Sequence, residues 1–232
     1  MSWRDYSEVR PPMGLLKLES LAATPLTTDP YDYVVVEDFL DEGAMGQILG
    51  GFPDIAEPRL LSPERAFRSG RGCRPCSTPW TGRVSARRWR EKFGLELEGR
   101  PTMFTLRGRC DARDGRIHTD SKKKIITVLL YLNEGWQEEG GRLRLLKSGE
   151  DLNAVAAEVS PRFGTLLVFR RSDRSFHGHE QYVGPRKVIQ MNWVVSDKVA
   201  AWEQLRHRIS ATAKRLGGGR LGGGRKSDPR AA

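Results

Sequence analysis

Between residues 101 and 196 the chain alternates short apolar-rich segments with turn residues, and no helical pattern interrupts the series. Strands that follow one another without crossover helices pair in an antiparallel manner. We therefore expect a mainly β fold, an antiparallel sandwich or barrel. The predicted strands cover residues 101–109, 115–120, 123–133, 142–147, 155–159, 165–171, 175–183 and 186–195.

The sequence before this β-rich region predicts one further strand and two helices. The β-branched and aromatic residues of 31–40 indicate a strand, and Asp41 is a suitable N-cap for a helix over 42–50. Residues 83–93 predict a short basic helix around Trp89, with its arginines on a solvated face. The remaining residues of 1–30 and 52–82 are rich in proline and glycine and are expected to be irregular.

Positive charge is concentrated at the C-terminal end of the chain. Of the net charge of +10, the segment from Lys198 onward carries +7, from nine basic residues against two acidic ones. The body of the chain is therefore only mildly basic, which weakens the case for a nucleic-acid partner but leaves the basic tail as a route to one. We expect one folded domain over 1–197 with a β-rich core at about 101–196, an amphipathic helix over 198–216 and a flexible Gly/Arg-rich tail over 217–232.

The cysteines and the apolar segments argue against a disulfide-stabilised protein, a structural zinc protein and a protein with a membrane-spanning helix. Three cysteines do not make a disulfide framework, and the Cys73/Cys76 pair lacks the second pair of a structural zinc site. The longest apolar run, 125–132, is too short to cross a bilayer as a helix. The N-terminus lacks the pattern of a signal peptide, so we expect a cytoplasmic protein with no membrane partner.

The histidines indicate a metal centre in the β-rich region. Three of the four lie there, and His118 and Asp120 form a His-x-Asp pair whose side chains share a face if the segment is a strand. A third ligand from a distant strand, either His177 or His179, would complete a two-histidine, one-carboxylate triad. Such a triad leaves coordination positions open and is typical of non-haem Fe(II) oxygenases. His207, among arginines on the predicted C-terminal helix, is interpreted as a surface residue.

The last predicted strand has one apolar face and one polar face. Arg186, Gln190 and Asn192 share the polar face, while Ile189 and its i+2 neighbours form the apolar one. This pattern is typical of a barrel strand with a buried outer face and a polar interior. An inward-pointing arginine is suited to binding a planar carboxylate through two hydrogen bonds.

These motifs, taken in order, resemble one family. Its matching features are His118-Thr-Asp120, Tyr131-Leu-Asn133 with Trp136, Gly140-Gly141-Arg-Leu, Pro161-x-x-Gly164-Thr-Leu-Leu-Val-Phe169, His177 and Arg186. Their order and spacing resemble the Fe(II)- and 2-oxoglutarate-dependent dioxygenase superfamily, in its prolyl-4-hydroxylase-like branch. The resemblance implies a double-stranded β-helix, or jelly roll, flanked by N-terminal helices. It also implies Fe(II), 2-oxoglutarate and O2 as reactants, with ascorbate as an optional reductant.

The resemblance also implies roles for single residues. The expected iron ligands are His118, Asp120 and His177. Arg186 would bind the distal carboxylate of 2-oxoglutarate, together with Tyr131, and strand parity places Thr127 in the same pocket; ordinary barrel packing is the alternative for the last two. His177 is preferred to His179 because Arg186 follows it by nine residues, the spacing of prolyl-hydroxylase-like relatives. His179 then becomes a neighbour of the ligands or a substrate-facing residue.

The implied activity is hydroxylation of a substrate with release of succinate and CO2. Relatives that halogenate replace the carboxylate ligand by a small residue, so Asp120 favours hydroxylation. The substrate stays open among a prolyl residue of a peptide or protein, a free amino acid and a small metabolite. Two alternatives remain: a cupin-like, non-redox metal-binding module, and a dioxygenase that oxidises nucleic acid.

Overall fold

The structure is a computed structural model that describes residues 15–55, 83–196 and 198. In this part of the chain three helices, α1 to α3, span Leu18–Ala23, Met45–Gly51 and Arg83–Phe93. Eight strands, β1 to β8, span Tyr33–Val36, Thr102–Cys110, Lys124–Tyr131, Leu143–Leu146, Val155–Val159, Leu166–Arg170, His177–Gly178 and Gly184–Val194. The predicted C-terminal helix, the Gly/Arg-rich tail, Cys73, Cys76 and His207 lie outside the described residues.

The strands form two antiparallel sheets. The larger sheet has five strands in the order β1-β6-β3-β8-β2, and the smaller has three in the order β5-β4-β7. Every pairing in both sheets is antiparallel. The prediction of a mainly β jelly roll with flanking N-terminal helices is therefore confirmed.

The central strands of the large sheet lie between two apolar clusters, because their side chains point alternately to the two faces of the sheet. On β8, Ile189, Met191 and Trp193 face a cluster that also contains side chains of α2 and α3. Val188 faces the other cluster, which lies between the two sheets together with Tyr131 of β3. Because successive side chains of a strand point to opposite faces, the predicted apolar and polar faces of β8 are both confirmed.

The helices cover the outer face of the large sheet. Trp89 of α3 is almost completely buried, while Arg87 on the same helix is exposed and pairs with Glu91. The solvated basic face predicted for this helix is therefore correct. Asp41 accepts a hydrogen bond from the Gly43 amide at 2.8 Å, which is the capping contact predicted from the sequence. The helix that follows begins with a 3-10 turn, Glu42–Ala44, before α2.

Three predictions of secondary structure were wrong. Residues 1–30 were expected to be irregular, but α1 forms within them because Leu21 is buried in the core. Residues 115–120 form only one isolated bridge, since the turn at 111–114 and the positive φ of Gly115 end the extended conformation. The strand predicted at 175–183 is reduced to the two residues of β7.

None of the described helices combines the length and apolar character needed to cross a membrane.

Candidate metal centre

Three side chains from two separate parts of the chain lie close together. His118, Asp120 and His177 each offer a ligand atom, and these atoms lie within 4.8 Å of one another. The main chains of His118 and His177 exchange two hydrogen bonds of 3.0 Å. The sequence argument assumed that a strand aligns His118 with Asp120. In the structure, an isolated bridge to β7 brings the two histidines together instead.

Both histidines are oriented with one ring nitrogen free. Nδ1 of His118 lies 2.8 Å from the Arg116 carbonyl oxygen, and Nδ1 of His177 lies 2.9 Å from the Ser175 carbonyl oxygen. A carbonyl oxygen only accepts hydrogen bonds, so Nδ1 carries the proton and Nε2 keeps its lone pair. Burial lowers the pKa of His177 to about 4. The ring is thus neutral at pH 7, the form that binds a metal.

Asp120 is buried and held by two donors. Lys124 Nζ lies 2.6 Å from Oδ1, and the Thr127 hydroxyl donates to Oδ2. Burial raises the pKa of the Asp120 carboxyl. The Lys124 ammonium, with further contributions from His177 and the two hydrogen bonds, lowers it more, so the net pKa lies below the usual value. The carboxylate is therefore ionised and already oriented.

The hydrogen bonds to Asp120 continue along two paired strands. Thr127 of β3 and Asn192 of β8 are partners in the sheet register, and Asn192 Nδ2 donates to Thr127 Oγ1 at 2.7 Å. Gln190 Nε2 donates to Asn192 Oδ1 at 3.1 Å. Sequence reasoning placed Gln190 and Asn192 on the polar face of β8 but assigned them no contact. The sequence analysis did not identify Lys124 as a partner of Asp120. The separation of four residues between them was the one feature of the sequence that could have indicated this contact.

Arg186 is buried beside the metal-binding group and points into the protein. Its Nε donates to the Gly141 carbonyl oxygen at 2.8 Å, and its Nη2 lies 3.4 Å from the Tyr131 hydroxyl. The guanidinium carbon lies 5.1 Å from the centre of the Tyr131 ring. Burial raises the pKa of Tyr131, although Arg186 opposes this, so the phenol stays protonated. The remaining guanidinium N–H groups are available to a ligand carboxylate.

A cavity of about 580 Å³ joins these groups. Its lining contains every residue that the sequence analysis proposed for the site: Thr127, Tyr131, Arg186 and the three metal-binding side chains. His179 also lines it but lies outside the group of three, and its Nδ1 contacts the Glu180 carbonyl oxygen at 2.8 Å. Burial, with a contribution from Arg186, lowers the pKa of His179 to about 4.

Two imidazole nitrogens and one carboxylate fit a single divalent transition metal. The hydrogen bonds from both Nδ1 atoms and to both Asp120 oxygens are the supporting contacts expected around such a site. The residues present therefore fit an Fe(II) centre. The Arg186 guanidinium lines the same cavity and is suited to binding a carboxylate.

Gly115 is required where the loop before His118 passes His179. Its φ is +91°, and an added β-carbon would collide with the His179 carbonyl oxygen and lie 2.6 Å from Nδ1. We expect Gly115→Ala to lower the free energy of unfolding by at least about 2 kcal/mol, since backbone strain alone costs about 1–3 kcal/mol. Metal affinity should fall as well. Chemical denaturation and calorimetric titration with Mn(II) measure the two effects.

Gly135→Ala is the matched control for this prediction. Gly135 also has a positive φ, +66°, but an added β-carbon meets nothing within 4 Å. This variant should lose about 1 kcal/mol of stability from strain and should keep its metal affinity. Equal behaviour of the two variants in both measurements would contradict the role given to Gly115.

Thr127 provides a second test of the site. We expect Thr127→Val to weaken Mn(II) binding by about 10- to 100-fold, because Asp120 and Asn192 both lose their hydrogen-bond partner. Thr127→Ser keeps the hydroxyl and should bind Mn(II) within about threefold of the original protein. Calorimetric titration measures the Mn(II) affinity of both variants. Unchanged binding by the valine variant would show that the hydroxyl does not orient Asp120.

The fold and the site together are those of a jelly-roll protein with a His/Asp/His group arranged to hold a metal ion. Residues 109–195 match the model of the 2OG-Fe(II) oxygenase superfamily. This segment is similar to that superfamily, and the match supports the sequence-based prediction of a 2-oxoglutarate-dependent oxygenase. The family implies Fe(II), 2-oxoglutarate and O2 as reactants.

Solved structures with a similar fold include prolyl 4-hydroxylases. The chain shares 20% identity and a TM-score of 0.51 with the Pseudomonas putida enzyme, over 80% of this chain and 94% of that one. It shares 17% identity and a TM-score of 0.50 with a prolyl 4-hydroxylase of Phytophthora capsici, over 76% and 68% of the two chains. At these identities the likeness is one of fold. No curated protein matches the sequence.

Proposed function

We propose that the protein hydroxylates a substrate carbon with Fe(II), O2 and 2-oxoglutarate, and releases succinate and CO2. The observation that carries the proposal is a His/Asp/His group and a buried arginine lining one cavity. The substrate is a prolyl residue of a peptide or protein, an amino acid or a small metabolite. The prolyl 4-hydroxylase fold favours the first of these classes.

The residues have distinct roles in this proposal. His118 and His177 bind the iron through Nε2, and Asp120 binds it through a carboxylate oxygen. Bound there, the iron supplies O2 activation coupled to oxidative decarboxylation of 2-oxoglutarate, and ascorbate serves as an optional reductant. The catalytic unit is the predicted domain over 1–197.

The chain's own groups position the cosubstrate and keep its pocket dry. Arg186 binds the distal carboxylate of 2-oxoglutarate with the N–H groups not used by Gly141. The Tyr131 hydroxyl, already next to Arg186, is oriented to donate to the same carboxylate. Thr127 lines the same pocket, but its hydroxyl is engaged by Asp120 and Asn192, so we propose that it acts first on Asp120. Val188 and Leu143, both buried, form apolar parts of the lining.

Succinate formation tests the proposal directly. Purified protein supplied with Fe(II), 2-oxoglutarate, ascorbate and air should form succinate and CO2, even slowly in the absence of substrate. A chelator should stop the reaction, and added Fe(II) should restore it. Profiling peptides and metabolites for mass gains of +16 then identifies the substrate. Folded, metal-loaded protein without any succinate formation would contradict the proposal and favour the non-redox, cupin-like module.

A further inference from the structure

The lining of the active-site cavity carries more positive charge than the proposed reactants balance. Among its described residues are six cationic and two acidic side chains: Arg107, Arg113, Arg116, Lys123, Lys124 and Arg186, against Asp114 and Asp120. The formal charge is therefore +4 with the histidines neutral. Fe(II) and the dianion of 2-oxoglutarate cancel each other, so the loaded site keeps this excess. A low-dielectric cavity of one sign attracts ligands of the opposite sign.

Most of these cations already have partners. Lys124 pairs with Asp120 at 2.6 Å, and Arg107 pairs with Asp114 at 3.6 Å. Arg113 pairs with Asp111 at 3.6 Å, just outside the cavity. Arg186 is assigned to 2-oxoglutarate. These four cations are therefore accounted for.

Arg116 and Lys123 are the other two cations of the cavity lining. Neither side chain has an acidic partner within the residues that the structure describes. Both are exposed although they line the cavity, so they lie where it opens to solvent. They flank the metal-binding pair on both sides: Arg116 lies two residues before His118, and Lys123 lies three residues after Asp120. A ligand entering the cavity meets two unpaired cations close to the reaction centre.

We propose, resting on the function proposed above, that the substrate carries a carboxylate or phosphate group bound by Arg116 and Lys123 at the opening of the cavity. The anionic group stays at the opening while the carbon to be oxidised reaches the iron. Arg116 is also tied to the metal centre, because its carbonyl oxygen accepts the hydrogen bond from His118 Nδ1. Anion binding and the orientation of a metal ligand thus share one short segment.

The cavity lining favours a small or peptide anion over a nucleic acid. Stacking of unpaired bases requires accessible aromatic rings. The phenyl and phenol rings in the described lining are Tyr131 and Phe169, and both side chains are completely buried. Among the described lining residues, charge is therefore present at the opening without an accessible phenyl or phenol ring.

Two pairs of probes test this proposal, each pair differing only in charge. One is an acetylated pentapeptide with aspartates around a central proline, compared with its asparagine counterpart. The other is phosphoserine compared with serine. Each is titrated calorimetrically, without oxygen and at low salt, into the full chain with Mn(II) and saturating 2-oxoglutarate. We expect the charged member of at least one pair to bind about tenfold more tightly, and the pair that responds identifies a peptide or a small phosphate compound as the source of the anion.

The variant Arg116→Gln/Lys123→Gln should lose this advantage of about tenfold, about threefold for each charge. Lys122→Gln is the matched control: Lys122 is an exposed neighbour that pairs with Asp173 at 3.9 Å and lies outside the cavity lining. This control should bind the charged probe as the original protein does. Raising the salt concentration should weaken binding of the charged members only.

Several results would overturn the proposal. They are equal binding within both pairs, no binding by either charged member, or an equal loss from Lys122→Gln. Binding of a short oligothymidylate without binding of either charged probe would overturn it in favour of nucleic acid. The titration involves no turnover, so its outcome is separate from succinate formation. A protein that binds the charged probes through Arg116 and Lys123 but forms no succinate would contradict the proposed function alone.

Discussion

His118→Ala should lower the affinity of the protein for Fe(II) by more than about 100-fold and abolish succinate formation, while leaving the fold intact. Loss of a residue that only supports a metal ligand costs about 10- to 100-fold in affinity, so loss of a ligand costs more. The side chain of His118 is exposed, and its truncation leaves no cavity in the core. Calorimetric titration with Fe(II) in the absence of oxygen measures the effect, and thermal unfolding of the metal-free protein checks the fold.

His179→Ala is the control for this variant. His179 is buried and lines the same cavity, but it lies outside the group of three ligand atoms. Iron binding should therefore survive its loss within about tenfold. If His179→Ala abolished iron binding while His177→Ala did not, the assignment of the third ligand would be wrong.

Arg186→Ala should raise the concentration of 2-oxoglutarate needed for half-maximal turnover by about 30- to 5000-fold, since breaking a buried charged hydrogen bond costs about 2–5 kcal/mol. The guanidinium is buried and held in place by the Gly141 carbonyl oxygen and the Tyr131 hydroxyl. Iron affinity should change little, because Arg186 contacts none of the three proposed ligands. Initial rates of succinate formation across a range of 2-oxoglutarate concentrations measure the effect.

Arg186→Lys separates charge from geometry. Lysine keeps the positive charge but lacks the planar fork that grips both oxygens of a carboxylate. We expect an intermediate requirement for 2-oxoglutarate, between those of the original protein and the alanine variant. A normal 2-oxoglutarate requirement in both variants would place the cosubstrate elsewhere.

The alternation of apolar and polar residues along the sequence predicted most of the strands correctly. Strict alternation on β8 separates Trp193 from Arg186, and both faces are where the sequence places them. The two wrong strands, 115–120 and 175–183, lie where two loops pass close together. At Gly115 and Gly178 an added β-carbon would meet main-chain oxygen across that contact. Such close approach is a property of the packed structure and leaves no periodic signal in the sequence.

The metal-binding group was predicted by residue type and spacing, although the reason given was only partly correct. Strand parity was the reason given for placing His118 beside Asp120, but His118 lies in an isolated bridge to His177 and not in a strand. The contacts of Asp120 with Lys124 and Thr127 depend on side-chain conformation, and the contact of Arg186 with Gly141 spans 45 residues. The contact of Arg186 with Gly141 arises only when distant strands pair, so the sequence alone did not indicate it. The contact of Lys124 with Asp120 is local, and only its spacing of four residues could have indicated it.

Binding of 2-oxoglutarate to the protein, with and without Fe(II), shows whether the iron and the cosubstrate occupy the same cavity. Calorimetric titration without oxygen should show one molecule of 2-oxoglutarate bound per chain, with affinity that increases strongly when Fe(II) is present. His118→Ala should abolish this increase, and Arg186→Ala should weaken binding in both conditions. If 2-oxoglutarate bound equally well with and without Fe(II), or not at all, the iron and the cosubstrate would not share the cavity. This result would contradict the proposed function.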